Sequence, residues 1–296
     1  DVSSVFNPGA VKVNDIYHLM LRVQNRGRET FLMMADSSDG IDFKIRLEPI
    51  HFKGIEKVDL DVYHIYDPRI TRIDDIFYIL FAIDSNKGTK LGLSKSDDLI
   101  NFDFIDIVSK EENRNGVLFP ELINGYYARL DRPNTVQNNS VMSGDFICLS
   151  FSRDMKNWKR DSIIIKGRPH YWDELIGAGT PPIKTKDGWL IIYHGVATHF
   201  SSSNIYQVGV FILDLDDPSK VVARSKYNIL EPRKNYEYIG QVPNIVFPSG
   251  IIVEDFDDSG FASENSQIKI YYGAADTSIC LAETTLSQLI GMAKNE

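Results

Sequence analysis

Short apolar stretches separated by turn residues run along most of the chain. Clear examples are IYHLMLRV, IFYILFAI, DFICLSF, WLIIYHGV and QVGVFILDL. They are rich in isoleucine, valine, tyrosine and phenylalanine, and asparagine, aspartate and glycine punctuate them, which is typical of β-strands joined by turns. Only the C-terminal segment TTLSQLIGMAK has helical spacing, and Thr284 or Thr285 is placed to cap it. Its apolar face is made of Leu286, Leu289, Ile290 and Ala293. The pattern predicts an all-β fold with a short C-terminal helix.

A motif of the form Ser-x-Asp-x-x-x-aromatic occurs three times. The copies SSDGIDF, SDDLINF and SRDMKNW begin at Ser37, Ser96 and Ser152, which are 59 and then 56 residues apart. We interpret each copy as a turn in which the aspartate bonds its own backbone and the aromatic ring fills the gap between neighbouring sheets; chance similarity of turns is the alternative. A period of this length over 296 residues predicts a five-bladed β-propeller of four-stranded sheets. One catalytic domain would span residues 1–296, with a central funnel where the inner strands end.

The segment IYDPRITRID raises a question about function. It reads as a strand, a tight turn and a second strand, and the turn carries an acid, Asp67, and a base, Arg69. The two side chains lie on one side if the segment is extended, and an arginine beside an aspartate keeps the acid ionised. The segment is either a surface hairpin with a salt bridge or an acid held at the mouth of a site.

Other polar residues lie near predicted strand ends. Arg114 and Arg132 flank an apolar stretch, and two arginines that meet in a funnel suit a bound oxyanion, although a single strand-end arginine is usually solvated. His194 ends an apolar strand and is either a satisfied interior residue or a ligand-binding one. Further candidates are Asn7, Arg22 and Arg28 in the first blade, Asp276 after YYGAA, and the spare carboxylates Asp173 and Glu174.

Charge and composition narrow the choice of partner. The net charge of −9 argues against nucleic acid and anionic membranes, and no apolar stretch is long enough to span a bilayer. Cys148 and Cys280 sit in apolar runs and are expected to be buried free thiols, and no metal-ligand spacing appears.

Six segments together resemble family 130 of the glycoside hydrolases, which contains β-mannoside phosphorylases and some β-mannosidases. They are FNPGAV, YDPRITRID, GVLFPELINGYYARLDRP, IGAGTPPIKTKDGWLIIYHGV, VPNIVFPSG and YYGAADT, and they occur in order from residue 6 to about residue 277. The resemblance implies a five-bladed propeller, which agrees with the repeat.

The resemblance implies an inverting mechanism with Asp67 as the general acid. In that mechanism the acid protonates the O3 hydroxyl of the mannose, this hydroxyl protonates the leaving oxygen, and phosphate attacks the anomeric carbon from the opposite face. Matching sugar-site residues are Asn7, Arg22, Arg28, Tyr66, Arg69 and Asp276. Matching phosphate-site residues are Arg114, Arg132 and His194, with Tyr206 completing the set.

One position departs from the family pattern. Family phosphorylases often have a lysine just before IGAG, where this chain has Glu174 and Leu175. Losing a cation weakens a phosphate site, and Glu174 or Asp173 could instead serve as the base of an inverting hydrolase. Phosphate needs cations and no base, whereas water needs a carboxylate base. Because both arginines are present, the sequence favours phosphorolysis over hydrolysis.

The expected reaction partners are a β-linked mannoside oligosaccharide, of the manno-oligosaccharide or mannosyl-glucose type, and inorganic phosphate as co-substrate. No metal or other cofactor is expected. A non-catalytic glycan-binding propeller and a protein-interaction propeller are the alternatives from other classes. A homo-oligomer, a cytoplasmic location, and a periplasmic one if a signal peptide had been trimmed ahead of Asp1 are further expectations.

Overall fold

Five sheets are arranged around a central axis as the blades of a β-propeller in this computed structural model, which describes residues 1–137, 140–199 and 201–295. Blade 1 contains β1 (Val2–Val13), β2 (Ile16–Asn25), β3 (Thr30–Ser37) and β4 (Lys44–Pro49). Blade 2 contains a short outer strand β5 (Phe52–Lys53), then β6 (Val62–Ile73), β7 (Ile76–Ser85), β8 (Gly88–Ser96) and β9 (Phe102–Ile107), with a 3₁₀ turn at Ile55–Lys57.

The last three blades vary this plan. Blade 3 contains β10 (Asn113–Leu118), β11 (Tyr127–Pro133), β14 (Phe146–Ser152) and β15 (Lys159–Lys166), interrupted by the ribbon β12 (Thr135–Gln137) and β13 (Ser140–Met142). Blade 4 contains β16 (Leu175–Ala178), β17 (Ile183–Thr185), β18 (Gly188–Ala197), β19 (Ile205–Leu213) and β20 (Val221–Arg224). After α1 (Asn235–Tyr238), blade 5 contains β21 (Val246–Val253), β22 (Gln267–Ala274) and β23 (Ser278–Thr285), followed by α2 (Leu286–Lys294).

Blade 5 corrects the prediction of four strands in every blade. Its sheet has three strands in the described part of the chain, and α2 packs beside it. Thr285 caps the helix by accepting a hydrogen bond from the backbone N–H of Gln288, and Leu286, Leu289 and Ala293 are buried against residues of β19 and β22. The predicted helix and its apolar face are therefore confirmed. None of the described helices is long and apolar enough to cross a membrane.

The Ser-x-Asp turns have the predicted structure. Asp39, Asp98 and Asp154 each accept two backbone hydrogen bonds of 2.8–3.0 Å and one from the serine two residues earlier. Backbone hydrogen bonds lower the pKa of Asp39 to about 2. The aromatic residues pack between blades: Phe43 meets Tyr271 of blade 5 edge-to-face, with ring centroids 5.8 Å apart. Because Phe43 belongs to blade 1, this contact helps to close the ring between the last and first blades.

The inner strands of the first three blades share a bulge. The pairing register shifts between Phe6 and Gly9 in β1, between Tyr66 and Arg69 in β6, and between Arg114 and Val117 in β10. In each case the first unpaired residue within the shift is Asn or Asp with positive φ, namely Asn7 (47°), Asp67 (52°) and Asn115 (52°). These residue types tolerate the left-handed conformation, and a bulge re-aims a side chain.

The bulge in β6 corrects the prediction of a tight turn within IYDPRITRID. Residues 65–73 of the segment belong to one strand of 12 residues, and the hairpin turn comes after them, at Asp74 and Asp75. Asp67 is therefore not at the tip of a surface hairpin. It lies in the middle of an inner strand.

Candidate active site

A cavity of about 280 Å³ lies on the axis where the bulged inner strands meet. Nine of the predicted site residues line it: Asn7, Arg22, Tyr66, Asp67, Arg114, Arg132, His194, Tyr206 and Asp276. They come from all five blades, so residues distant in the sequence converge at one place. The cavity is also lined by Asp84, Asn115, Ile245 and Phe247.

Asp67 is held by partners from blade 1. Its Oδ1 accepts hydrogen bonds from Asn7 Nδ2 and Arg22 Nη1, both at 2.9 Å. Burial raises the pKa of Asp67, but the charges of Arg22 and Arg69 and these hydrogen bonds outweigh it, so the pKa lies below its usual range. The guanidinium of Arg22 is itself sandwiched by aromatic rings, 4.4 Å from the ring centre of Phe6 and 4.7 Å from that of Tyr66. The carboxylate is thus fixed in position and ionised at neutral pH.

Arg69 does not line the cavity and instead supports it. Its side chain is buried, and it donates hydrogen bonds to the backbone oxygen of Asp67 at 2.6 Å and to that of Gly179 in blade 4 at 3.0 Å. It also lies over the ring of Phe247 in blade 5. Burial lowers the pKa of Arg69 to about 10, so the residue stays cationic at neutral pH. Arg69 ties three blades together beside the acid.

Asp276 is the second carboxylate on the acid side of the cavity. It follows β22 and has a positive φ of 48°. Burial and the negative charge of Asp67 raise the pKa of Asp276 to about 6, and Arg22 partly offsets both. The two carboxylates therefore differ in environment, since Asp67 is bonded to cationic and amide donors and Asp276 is mainly desolvated.

The opposite side of the cavity carries Arg114, Arg132, His194 and Tyr206. Burial and the neighbouring charge of Arg114 lower the pKa of Arg132 to about 10. Burial, Arg132 and Arg69 hold the pKa of His194 well below its usual range, so its imidazole is neutral. A neutral imidazole presents one N–H donor and one acceptor, whereas the guanidinium groups only donate.

Several buried polar atoms around the cavity have no hydrogen-bond partner. They include both ring nitrogens of His194, the Nε atoms of Arg22, Arg114 and Arg132, and the Oδ1 atoms of Asn7 and Asn115. Buried polar groups are normally paired, and each unpaired one costs free energy. A cluster of unpaired polar atoms, most of them nitrogens, on side chains that line one cavity is the arrangement expected where a polar ligand binds.

Gly177 makes room for the side chains of His194 and Arg132. A Cβ atom at this position would lie 2.4 Å from His194 Cε1 and 3.2 Å from Arg132 Cδ. The glycine is therefore required by the close approach of the two side chains to β16. The glycine thus lets two side chains of the cavity pack against the backbone of β16.

Besides Arg69, three of the residues predicted for the site lie outside the cavity. Arg28 is exposed in the turn between β2 and β3, at the end of blade 1 where β1 begins. Glu174 does not line the cavity and bonds the hydroxyl of Thr198. Asp173 is fully buried, and its oxygens accept bonds of 2.7 Å from Arg168, Arg224 and Tyr193. Because these donors saturate the carboxylate, the interpretation of Asp173 as a base gives way to a structural role.

Two polar residues of the cavity were not singled out from the sequence. Asn115 directly follows Arg114, and an Asn-Gly pair inside a strand pattern is a signal for a bulge. Asp84 directly follows the apolar segment IFYILFAI, near the end of its strand, and His194 likewise comes late in its own strand. The position of both residues within or near the end of a predicted strand would therefore have allowed both to be predicted from the sequence. Among the described residues, no group of three or more His, Cys, Asp or Glu side chains is arranged to hold a metal ion.

Comparison with known proteins adds a second line of evidence. A model of glycoside hydrolase family 130, described as beta-1,4-mannooligosaccharide phosphorylase, matches residues 1–295. A 1,2-beta-oligomannan phosphorylase of Thermoanaerobacter sp. (strain X514) is 36% identical over 293 residues, covering 95% of this chain and 89% of that protein. A beta-1,4-mannooligosaccharide phosphorylase of Ruminococcus albus is 32% identical, covering 99% and 86%.

The fold comparison agrees with the sequence comparison. The structure of a beta-1,2-mannobiose phosphorylase from Listeria innocua, in complex with beta-1,2-mannobiose, superimposes with a TM-score of 0.85. The two sequences are 27% identical, and the match covers 100% of this chain and 93% of the other. Both comparisons therefore extend over almost the whole chain.

Proposed function

Because the chain belongs to glycoside hydrolase family 130, we propose that it catalyses inverting phosphorolysis of β-mannosides and releases mannose 1-phosphate. Membership confirms the resemblance carried by the six sequence segments, and with it the prediction of an enzyme rather than a glycan-binding or protein-interaction propeller. The substrates we propose are β-linked manno-oligosaccharides or mannosyl-glucose, with inorganic phosphate as co-substrate. This chain is similar both to a relative named for 1,2-linked and to one named for 1,4-linked mannosides, so the assay must offer both linkages.

The observation that carries the proposal is the division of the cavity into two sides. One side has a carboxylate, Asp67, held by Asn7 and Arg22. The other has the guanidinium groups of Arg114 and Arg132 beside the neutral His194, with unpaired nitrogens. Guanidinium groups bind phosphate through parallel hydrogen bonds, and an imidazole acceptor suits the proton of a hydrogen phosphate ion. An acid opposite an anion site is what inverting phosphorolysis requires.

In the proposed reaction Asp67 donates its proton to the O3 hydroxyl of the mannosyl unit. That hydroxyl passes its own proton to the glycosidic oxygen, which leaves as an alcohol when its bond to C1 breaks. A phosphate oxygen forms the new bond to C1 from the opposite face, so the β-mannoside yields α-mannose 1-phosphate.

Asp67 must be protonated for the reaction to begin, and its pKa is low beside Arg22 and Arg69. A bound phosphate adds negative charge to the cavity and a bound sugar displaces water, and both changes raise the pKa of Asp67.

Hydrolysis is less well supported by the same cavity. An inverting hydrolase needs a carboxylate base for water about 6.5–9.5 Å from the acid. Asp173 is saturated by its ion pairs, and Glu174 does not line the cavity. This chain has Glu174 and Leu175 where family phosphorylases often have a lysine, but Arg114, Arg132 and His194 each keep a side-chain nitrogen without a partner.

The test is to incubate the purified protein with β-1,2- and β-1,4-mannobiose, with and without inorganic phosphate. We expect mannose 1-phosphate in the presence of phosphate and almost no turnover without it. Release of free mannose at the same rate in both conditions would replace the proposal with hydrolysis. Binding of mannobiose without any turnover would replace it with a glycan-binding function.

A further inference from the structure

Asp84 and Thr89 form a hydrogen-bonded chain that ends at Arg114. Thr89 Oγ1 lies 2.8 Å from Asp84 Oδ1, and Arg114 Nη2 lies 3.1 Å from Thr89 Oγ1. A guanidinium only donates and a carboxylate only accepts. The direction of each hydrogen bond is therefore fixed: Arg114 donates to the Thr89 oxygen, and the Thr89 hydroxyl donates to Asp84.

The same carboxylate oxygen serves the acid side of the cavity. Tyr66 donates its hydroxyl to Asp84 Oδ1 at 2.8 Å, and the Tyr66 ring lies under the guanidinium of Arg22, which bonds Asp67. Asp84 thus anchors one residue on each side of the cavity. Thr89 is 6% exposed, so its hydroxyl has little access to solvent as an alternative partner.

We infer that Thr89, oriented by Asp84, is a positioning residue that holds the Arg114 guanidinium toward the phosphate oxygens. This inference rests on the proposed phosphorolysis and extends it to two residues that do not belong to the predicted anion set. The Thr89 hydroxyl fixes one end of the Arg114 guanidinium, and the Arg114 side chain lines the cavity. Thr89 also stands between Arg114 and Asp84, so that the carboxylate does not pair directly with the arginine and compete with phosphate.

The test compares Thr89→Val with Thr89→Ser. Valine keeps the shape and removes the hydroxyl, and serine keeps the hydroxyl. We expect Thr89→Val to raise the KM for phosphate about tenfold or more while the KM for the mannoside changes less than twofold. Thr89→Ser should restore a phosphate KM close to that of the wild type. Calorimetric titration of inorganic phosphate into the enzyme without sugar should show the same ranking of Kd.

Thr71→Val is a matched control, because Thr71 is another buried threonine of blade 2. Its hydroxyl lies 3.4 Å from the backbone oxygen of Leu118, away from the cavity. It should leave the KM for phosphate unchanged. If Thr89→Val does not fold, Thr89→Ala removes the same hydroxyl in a smaller side chain and takes its place.

Two results would overturn the inference. One is an unchanged phosphate KM and Kd in the variants that lack the hydroxyl. The other is an equal rise in both KM values that serine does not reverse, which would mark Thr89 as structural only. Failure of the proposed function would appear differently, because the wild-type enzyme itself would then turn over without phosphate.

Discussion

The two ends of the propeller axis are built from the same inner strands and have opposite chemistry. The end opposite the candidate site holds the larger cavity, about 670 Å³, against about 280 Å³. Four of its charged side chains are paired with each other: Lys12 with Glu254 at 2.7 Å and Lys184 with Glu121 at 2.8 Å. None of the described residues that line it has a buried side-chain nitrogen or oxygen without a partner. The smaller cavity is surrounded by such atoms.

The difference shows that size alone does not identify the functional end. Unpaired buried donors destabilise the folded protein, so a cluster of them is maintained only where something else compensates. At the larger cavity the side chains complete their own interactions. At the smaller cavity, Arg114, Arg132 and His194 are held in place with nitrogens left over, which is what binding of an anionic substrate requires.

The largest expected effect comes from Asp67→Asn at the smaller cavity. Asparagine adopts the positive φ that Asn7 and Asn115 already have in the equivalent bulges, so the backbone should be retained. The variant cannot donate the acid proton, and we expect mannose 1-phosphate formation to fall by about a thousandfold or more. Product release with saturating phosphate measures the rate, and circular dichroism measures folding. Retention of a tenth of the wild-type rate would exclude Asp67 as the acid.

Asp276→Asn is the matched change, because it removes the same charge from the same cavity. We expect Asp276→Asn to stabilise the folded protein at neutral pH and Asp67→Asn to destabilise it. The pKa of Asp276 is about 6 in the folded protein and lies near 3.9 in an unfolded chain. Between these values the folded state holds a proton that the unfolded state releases, so wild-type stability falls as the pH rises from about 4 to about 6.

We therefore expect Asp276→Asn to be more stable than the wild type at pH 7.5 by about 1–3 kcal/mol. The gain should disappear below pH 4, where the carboxyl is protonated in both states. Asp67→Asn should instead lower stability at pH 7.5, because it leaves the Arg22 and Arg69 charges without their counter-ion. Urea unfolding of both variants at pH 4 and pH 7.5 measures the two signs. Equal effects of the two variants would show that the carboxylates do not differ in environment.

The sequence predicted the residues of the smaller cavity better than the details that hold them. Each Ser-x-Asp turn is held by hydrogen bonds between residues only two or three positions apart, so the repeat could be recognised in the sequence. The repeat in turn predicted the number of blades. Polar residues near strand ends could also be predicted as site residues, because the inner strands of a propeller converge on its axis. The ion pairs of Asp173 could not be predicted from the sequence, since one of them is with Arg224, 51 residues away. The bulge at Asp67 was mistaken for a turn because Asp-Pro suits both, and only pairing with β7 distinguishes them.

The smallest effect is expected at the larger cavity, from Glu254→Gln. Glu254 accepts from Lys12 Nζ and from the hydroxyl of Tyr17, both at 2.7 Å, and glutamine can keep the second bond while losing the charge. Burial raises the pKa of Glu254, but the bonds from Lys12 and Tyr17 outweigh it and lower the pKa. The ionised pair therefore contributes stability at neutral pH that is lost as the pH falls.

We expect Glu254→Gln to lower the free energy of unfolding by less than about 1 kcal/mol at pH 7.5 and to leave the kinetic constants within twofold of the wild type. A tenfold change in kcat or in the KM for phosphate would mean that the two ends of the axis are coupled, because no hydrogen bond of Glu254 leads toward Asp67 or Arg114 in the described part of the chain.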